Sequence, residues 1–237
     1  MTPQINKLVK TGLMAKEGDT YRLSGMGPVV VANMERLLGT LELYEENMDY
    51  WKNHDLSSLP PYLKERIHEL GSCRIVPLKK ENIMLRSGFL NEVLNSSKVL
   101  LLASVFHSDI PFLYSELLGR GIDTNIIITE TAFKSMQKEL LEEKDVIELK
   151  NPLFGKLFEE YRKEAGKLLN SENPDVFIYP GNEVPASILL TDTFFSIIFY
   201  EKNGNIPRQG ICSWDPGALS WGEELFMYYK CNSPNQK

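Results

Sequence analysis

Few side chains in this sequence combine into anything that could do chemistry, and the best placed of them follow two apolar runs. His107-Ser108-Asp109 lies just beyond the run KVLLLAS at 98–104, and Thr129-Glu130 follows the run NIII at 125–128. An imidazole, two carboxylates and a hydroxyl at the carboxyl ends of neighbouring buried strands stand where open α/β sheets bind small molecules. His107, Asp109, Thr129 and Glu130 are therefore candidate ligand-binding residues for a small-molecule effector. The plainer alternative is that Ser108 and Asp109 cap a helix and His107 is a loop residue. There is no G-x-S-x-G, G-x-x-x-x-G-K-[ST], G-x-G-x-x-G or H-E-x-x-H motif, each of which carries a defined chemistry. No catalytic residue, metal ligand or cofactor is assigned, and hydrolysis by His107 and Asp109 is the weakest reading.

A second group of side chains suits phosphate binding. Residues 1–26 hold four basic side chains (Lys7, Lys10, Lys16, Arg22) against two acidic ones, whereas the rest of the chain has 22 basic and 30 acidic. A basic head on an acidic body is the charge pattern of a small nucleic-acid contact surface, although a segment this short could show it by chance. The pattern around these residues is a helix and then a hairpin. Thr2 and Pro3 start a helix over 4–10 with Ile5, Leu8 and Val9 on one face, and Gly12 stops it. Two β-capable runs, 13–16 and 20–23, flank the turn Glu17-Gly18-Asp19. Helix plus ribbon is the second half of a winged helix-turn-helix, in which the helix enters the major groove of double-stranded DNA. Gln4, Asn6, Lys7 and Lys10 are then expected in the groove, with Lys16 and Arg22 in the wing near phosphates. The two helices that normally precede a recognition helix are missing from the pattern, so the winged helix is read as partial.

The elements that must carry these groups form a linker and a body. After Gly27-Pro28 a long helix is expected to about Asp49. Val30, Met34, Leu37, Leu41, Tyr44, Met48 and Trp51 recur along it in alternating steps of four and three, a heptad seam. They are candidate dimerisation residues; the same stripe could instead pack on its own chain, and Val31, Leu38 and Leu43 widen it enough for both. A further helix, started near Pro60-Pro61 and ended by Gly71, carries Leu63, Ile67 and Leu70. His54 and His68 beside it read as surface or capping residues. From about residue 75 the pattern becomes α/β. The strand 98–104, a helix ended by Gly119-Arg120-Gly121, and the strand 125–128 make a βαβ unit with parallel pairing. Helices at 131–144 and 154–169 follow, then strands at 176–179, 188–191, 194–200 and 211–214. The hairpin at Asp192-Thr193 makes the sheet mixed. A last helix begins at Asp215-Pro216 and carries Trp221, Leu225, Phe226 and Tyr229.

The bulk properties agree. With 237 residues, 43% hydrophobic, 24% charged and a net charge of −6, the chain is long enough for one large domain plus an accessory unit and too apolar to be disordered. No apolar run reaches the roughly 18 residues of a membrane helix, and the first residues lack the apolar segment of a secretory signal. Three cysteines without a C-x-x-C pair argue against a disulfide framework or a cysteine zinc site. The expectation is a soluble, cytoplasmic protein without a membrane partner.

Four segments, GDTYRLSGMG, WKNHDLSSLPPYLKERIHEL, LLTDTFFSIIFYEKNG and SWDPGALSWGEELFMYY, together resemble the archaeal winged-helix transcriptional regulators of the methanogenesis-regulator (Fil regulator) type. The resemblance implies a DNA-binding winged helix, a helical linker and a C-terminal regulatory domain, and members of the family act on genes of methane metabolism. It also implies that the regulatory part is a degenerate phospholipase D-like α/β domain. The active superfamily carries H-x-K-x-x-x-x-D, and none of the three histidines here has a lysine two residues on, which points to sensing or scaffolding. The expected architecture is α/β: a partial winged helix over 1–26, a helical linker or dimerisation segment over 27–74, and a mixed-sheet phospholipase D-like sensor domain over 75–237. The expected function is a homodimeric DNA-binding regulator. The alternative is a stand-alone ligand-binding or dimerisation module that has lost DNA binding.

Overall fold

The computed structural model describes residues 3–78, 89–105, 107, 109–141, 152–169, 175–180, 184, 186–203, 205 and 208–233. The head is helix α1 (Pro3–Lys10) followed by the antiparallel ribbon β1 (Met14–Glu17) and β2 (Thr20–Leu23). Gly12 and Gly18 make the two reversals at positive φ, 75° and 59°, where a side chain would be strained. The expected N-cap Thr2 lies outside the described residues.

The linker departs from one continuous helix. Helix α2 (Gly27–Glu46) ends at Asn47, whose backbone leaves the helical region (φ −139°, ψ 43°), and α3 (Met48–Asn53) starts anew. The heptad stripe concealed this break because its apolar spacing runs across it. Another correction concerns 61–70, which is two short pieces, α4 (Pro61–Lys64) and a 3-10 turn (Ile67–Leu70), rather than one helix. Of the two readings of His54, capping holds and surface does not: it is the C-cap of α3, with Nδ1 2.7 Å from the Tyr50 carbonyl, yet it is 4% exposed and stacked on the Tyr50 ring at 3.8 Å.

The body contains β3 (Arg74–Pro77), α5 (Leu90–Leu94), β4 (Lys98–Ala103), α6 (Asp109–Gly119), β5 (Asp123–Thr129), α7 (Glu130–Leu141), α8 (Pro152–Leu168), β6 (Val176–Tyr179), β7 (Ala186–Thr191), β8 (Phe195–Phe199), β9 (Gln209–Ser213) and α9 (Pro216–Cys231). Seven of these strands form one mixed sheet in the order β3-β9-β8-β7-β4-β5-β6. β4, β5 and β6 run parallel, and β7 returns antiparallel beside β4. The chain is therefore a mixed α/β protein, as its strand and helix pattern predicts. The expected cap Ser108 and the helix end at 142–144 lie outside the described residues.

Alternation along the central strand sorts the core into two layers. Leu100 and Leu102 of β4 face one layer with Phe195, Ile197, Trp221 and Phe226, under α9 and the linker. Val99, Leu101 and Ala103 face the other, under α5 to α8, with Leu113, Tyr114, Leu117 and Met136. Each large side chain taken out of water this way contributes about 1.5–3 kcal/mol. Both layers are needed because β4 and β5 are apolar on both sides, which is what makes a parallel pair stable only when covered twice.

The linker is fastened to the first layer by polar contacts across the chain. Trp221 Nε1 donates to the Leu63 carbonyl (3.0 Å), Tyr229 Oη donates to the Ser58 carbonyl (2.5 Å), and the Ser72 amide donates to Asp215 Oδ2 (2.7 Å). Gly39 brings α2 against His68: a Cβ at Gly39 would stand 3.3 Å from the His68 Cβ.

Candidate functional site

On α1, Gln4, Asn6, Lys7 and Lys10 are all exposed and occupy the arc opposite Ile5 and Val9, which are half-buried. An exposed arc bearing two lysines and two amide side chains can neutralise phosphates and hydrogen-bond base edges. The ribbon places its two basic residues differently. Cross-strand pairing sets Lys16 opposite Tyr21 and Arg22 opposite Ala15, so the period of two puts Lys16 and Arg22 on opposite faces. Arg22 also reaches across to Glu17 at 2.5 Å, both side chains more than half exposed. Arg22 must exchange that carboxylate for a phosphate before it can serve a duplex, whereas Lys7, Lys10 and Lys16 make no ion pair among the described residues. The head is oriented on the linker at Gly27, where a Cβ would stand 2.5 Å from the Leu13 carbonyl and 2.9 Å from the Leu23 Cβ. Its charged arc therefore has a defined direction relative to α2, although α1 itself contains no buried residue.

The heptad stripe divides at the helix break. Gly39 and Leu43 form the side of α2 that packs on its own chain. The opposite side carries Met34, Leu37, Leu41 and Tyr44, at 54%, 60%, 45% and 39% exposure, with Met48 of α3 continuing it. Val30 is half-buried. Trp51 leaves the stripe: it is buried, and its Nε1 donates to the Leu43 carbonyl at 2.9 Å. The seam is thus an open apolar face that ends at Met48, and its expected last member belongs to the intrachain core.

At the carboxyl ends of the parallel strands, Thr129 and Ser104 are neighbours, with Thr129 Oγ1 donating to the Ser104 carbonyl (3.1 Å). The same Oγ1 accepts the Ala132 amide (3.3 Å), so the fully buried Thr129 caps α7. Glu130 pairs with Lys134 one turn on at 2.5 Å, and that hydrogen bond holds its carboxyl below the usual range. His107 is half-buried, and burial pushes its imidazole below the ordinary value against an opposing pull from Asp109. The four predicted residues therefore share one end of the sheet, but two of them are committed to holding α7 in place.

Sequence reasoning missed the hydroxyl cluster beside them. Ser104 Oγ lies 2.7 Å from Ser187 Oγ and 2.8 Å from Tyr200 Oη, joining β4, the start of β7 and the end of β8. Ser104 closes the apolar run at 98–104 and could have been noticed; its partners lie 83 and 96 residues further on and carry no signal of their own. The cluster contains no titratable base and can orient a polar ligand but not activate one. Among the described residues no group of three or more His, Cys, Asp or Glu could hold a metal ion, and no helix is long and apolar enough to cross a membrane.

The family described as "Methanogenesis regulatory protein FilR1, middle domain" matches residues 85–151 and 146–232. The chain is 25% identical over 221 residues to the methanogenesis regulatory protein FilR1 of Methanothrix harundinacea (strain 6Ac). That match covers 92% of this chain and 45% of the relative, so the chain spans about half the relative's length. Among solved structures, it is similar to TrmBL2, described as an archaeal chromatin protein with a novel mode of DNA binding. The identity is 13% and the TM-score 0.43, over 97% of this chain and 79% of that one. It is also similar to NucT from Helicobacter pylori, at 11% identity and a TM-score of 0.41, over 69% of this chain and 98% of that one.

Proposed function

The chain belongs to the FilR1 middle-domain family, and from that premise we propose that it is a homodimeric DNA-binding transcriptional regulator with an effector-sensing body. Residues 1–26 serve as the DNA-contacting head, 27–74 as linker and dimerisation segment, and 75–237 as the sensor domain. The observation that carries this reading is the exposed arc of Gln4, Asn6, Lys7 and Lys10 on a chain whose remaining charge is acidic. Phosphate neutralisation by such an arc gives affinity that falls steeply with salt, and a paired head doubles the contacts across two half-sites. The open face Met34–Leu37–Leu41–Tyr44 supports pairing through α2, because an apolar stripe that its own body leaves in water gains by burial against a second copy. Described relatives add weight to the regulator role: the FilR1 protein is named for regulation of methanogenesis.

Fluorescence anisotropy with duplexes from the chain's own upstream region, at low and moderate salt, tests the proposal. Specific binding that weakens steeply with salt is the expected result. Absence of binding at both salt concentrations overturns DNA recognition by this chain. One observation favours a second reading, a module that dimerises and binds a ligand but has lost DNA binding: α1 has no buried residue, so the head contributes no core of its own. A dimer that binds small molecules and no DNA would establish that alternative.

A further inference from the structure

We infer that the cleft between the linker and α9 is a binding site for a small aromatic carboxylic acid. The cleft has a volume of about 440 Å³ and lies where residues 57–64 cross the end of β6 and the last turns of α9. That size falls within the roughly 300–1,000 Å³ of small-molecule sites. Its aromatic surface comes from Tyr179, Tyr228 and Tyr229. The Tyr179 and Tyr229 rings meet edge to face at 5.2 Å, and Tyr228 meets Tyr229 in the same way at 5.3 Å. Pro60 adds a flat apolar surface from the linker. Such walls take a planar ring by stacking and edge contact.

The polar groups specify the rest of the ligand. Lys64 is the only charged residue among the described lining residues, and it makes no ion pair among the described residues. An ammonium beside aromatic walls, without a carboxylate partner among the described residues, selects a single negative charge next to a ring. One ammonium and no second cation among the described lining residues suits a carboxylate; a phosphate, with its higher charge, calls for more cations than this.

The position gives the site a consequence. The Ser58 carbonyl already accepts Tyr229 Oη, and five residues further the Leu63 carbonyl accepts Trp221 Nε1. The same stretch continues to His68, against which Gly39 of α2 rests. A ligand that touches both the linker and α9 tightens the seat of α2 and hence the direction of the head. That coupling rests on the regulator reading above; the site itself does not.

Isothermal titration of the full chain, without DNA, tests the site independently of any DNA-binding result. The probes are 4-hydroxyphenylacetate, indole-3-acetate, the neutral indole-3-acetamide and AMP. At least one acid is expected to bind at millimolar concentration or below, about tenfold more tightly than the amide, which is the worth of one charge-assisted hydrogen bond. Lys64→Gln, at an exposed position, is expected to erase the difference between acid and amide while leaving amide binding unchanged. Tyr228→Ala is expected to weaken acid and amide together. No binding of either acid at millimolar concentration, an acid preference that survives Lys64→Gln, or tighter binding of AMP than of the acids each overturns the assignment.

Discussion

Arg66 and Glu224, 158 residues apart, hold each other by two parallel hydrogen bonds, Nη1 to Oε2 at 2.7 Å and Nη2 to Oε1 at 2.9 Å. Glu69 grips the same guanidinium from its other edge, Nε to Oε1 at 2.8 Å. The trio ties the linker to α9 on a partly exposed surface, with Glu224 at 43% side-chain exposure.

Because Arg66 holds the Glu224 carboxyl below its ordinary value, the sign of the pH dependence follows. The stabilisation is fully present above about pH 4.5 and is lost as pH falls through the lowered native value. Glu224→Gln is expected to cost about 0.5–1 kcal/mol near neutrality, discounted for solvent screening, and the difference from wild type should vanish in acid. Urea unfolding at several pH values measures both.

Packing of α9 on the sheet depends on a missing side chain. A Cβ at Gly222 would stand 2.4 Å from the Phe195 ring, itself fully buried. Gly222→Ala is expected to destabilise by about 1–3 kcal/mol through overpacking, despite the better helix propensity of alanine. Restoring stability by the double change Gly222→Ala, Phe195→Leu would locate the clash; thermal melts read the result.

The proposed dimer face gives a clean substitution. Leu37 and Leu41 are 60% and 45% exposed and belong to neither core layer, so Leu37→Lys with Leu41→Lys should leave the circular dichroism spectrum intact. Native mass is expected to shift from two chains to one. A dimer that persists would place the interface elsewhere.

For the head, Lys7→Ala and Lys10→Ala should each reduce the slope of log affinity against log salt by about 1. Arg22→Ala is expected to change it less, since Glu17 already holds that guanidinium. Anisotropy titrations at graded salt distinguish the two cases.

His107 offers a titration. Burial lowers its imidazole value from the ordinary 6.5, so the unfolded chain takes up a proton first as pH falls. Stability associated with the neutral ring is present above about pH 6.5 and declines as pH drops toward the lowered native value. Wild type is expected to lose more stability than His107→Gln between pH 7.5 and 5.5, by urea unfolding, and the imidazole proton signals should titrate below 6.5.

What could be read from the sequence was what repeats locally. The runs at 98–104 and 125–128 were legible as buried strands because their interiors, Val99 to Ala103 and Ile126 to Ile128, are wholly apolar, and Gly119 with Gly121 marked the helix end between them. β3 and α5 escaped notice because four or five residues carry too little period to be recognised. The break at Asn47 was hidden by a stripe whose spacing continues across it while the backbone does not. The basic arc on α1 was visible because its members lie within one helix. Thr129 looked like a ligand-facing hydroxyl, but its Oγ1 is consumed by the amide of α7. Neither the Ser104–Ser187–Tyr200 cluster nor the tyrosine cleft could be foreseen, since their walls come from segments joined only by the fold.

The attachment of the linker to α9 also sets an order of events during synthesis. Residues 58–72 find their partners at 213–229, a separation of well over a hundred residues, and a ribosome delivers those partners long after the linker itself. Until then the stretch that carries His68, the seat of α2, is not held by α9 through Leu63 and Ser58, and contacts so distant in sequence are the slow ones to form. The head thus gains a fixed direction only after the far end of the sheet and its covering helix are complete, so an interrupted chain emerges with its basic arc untethered.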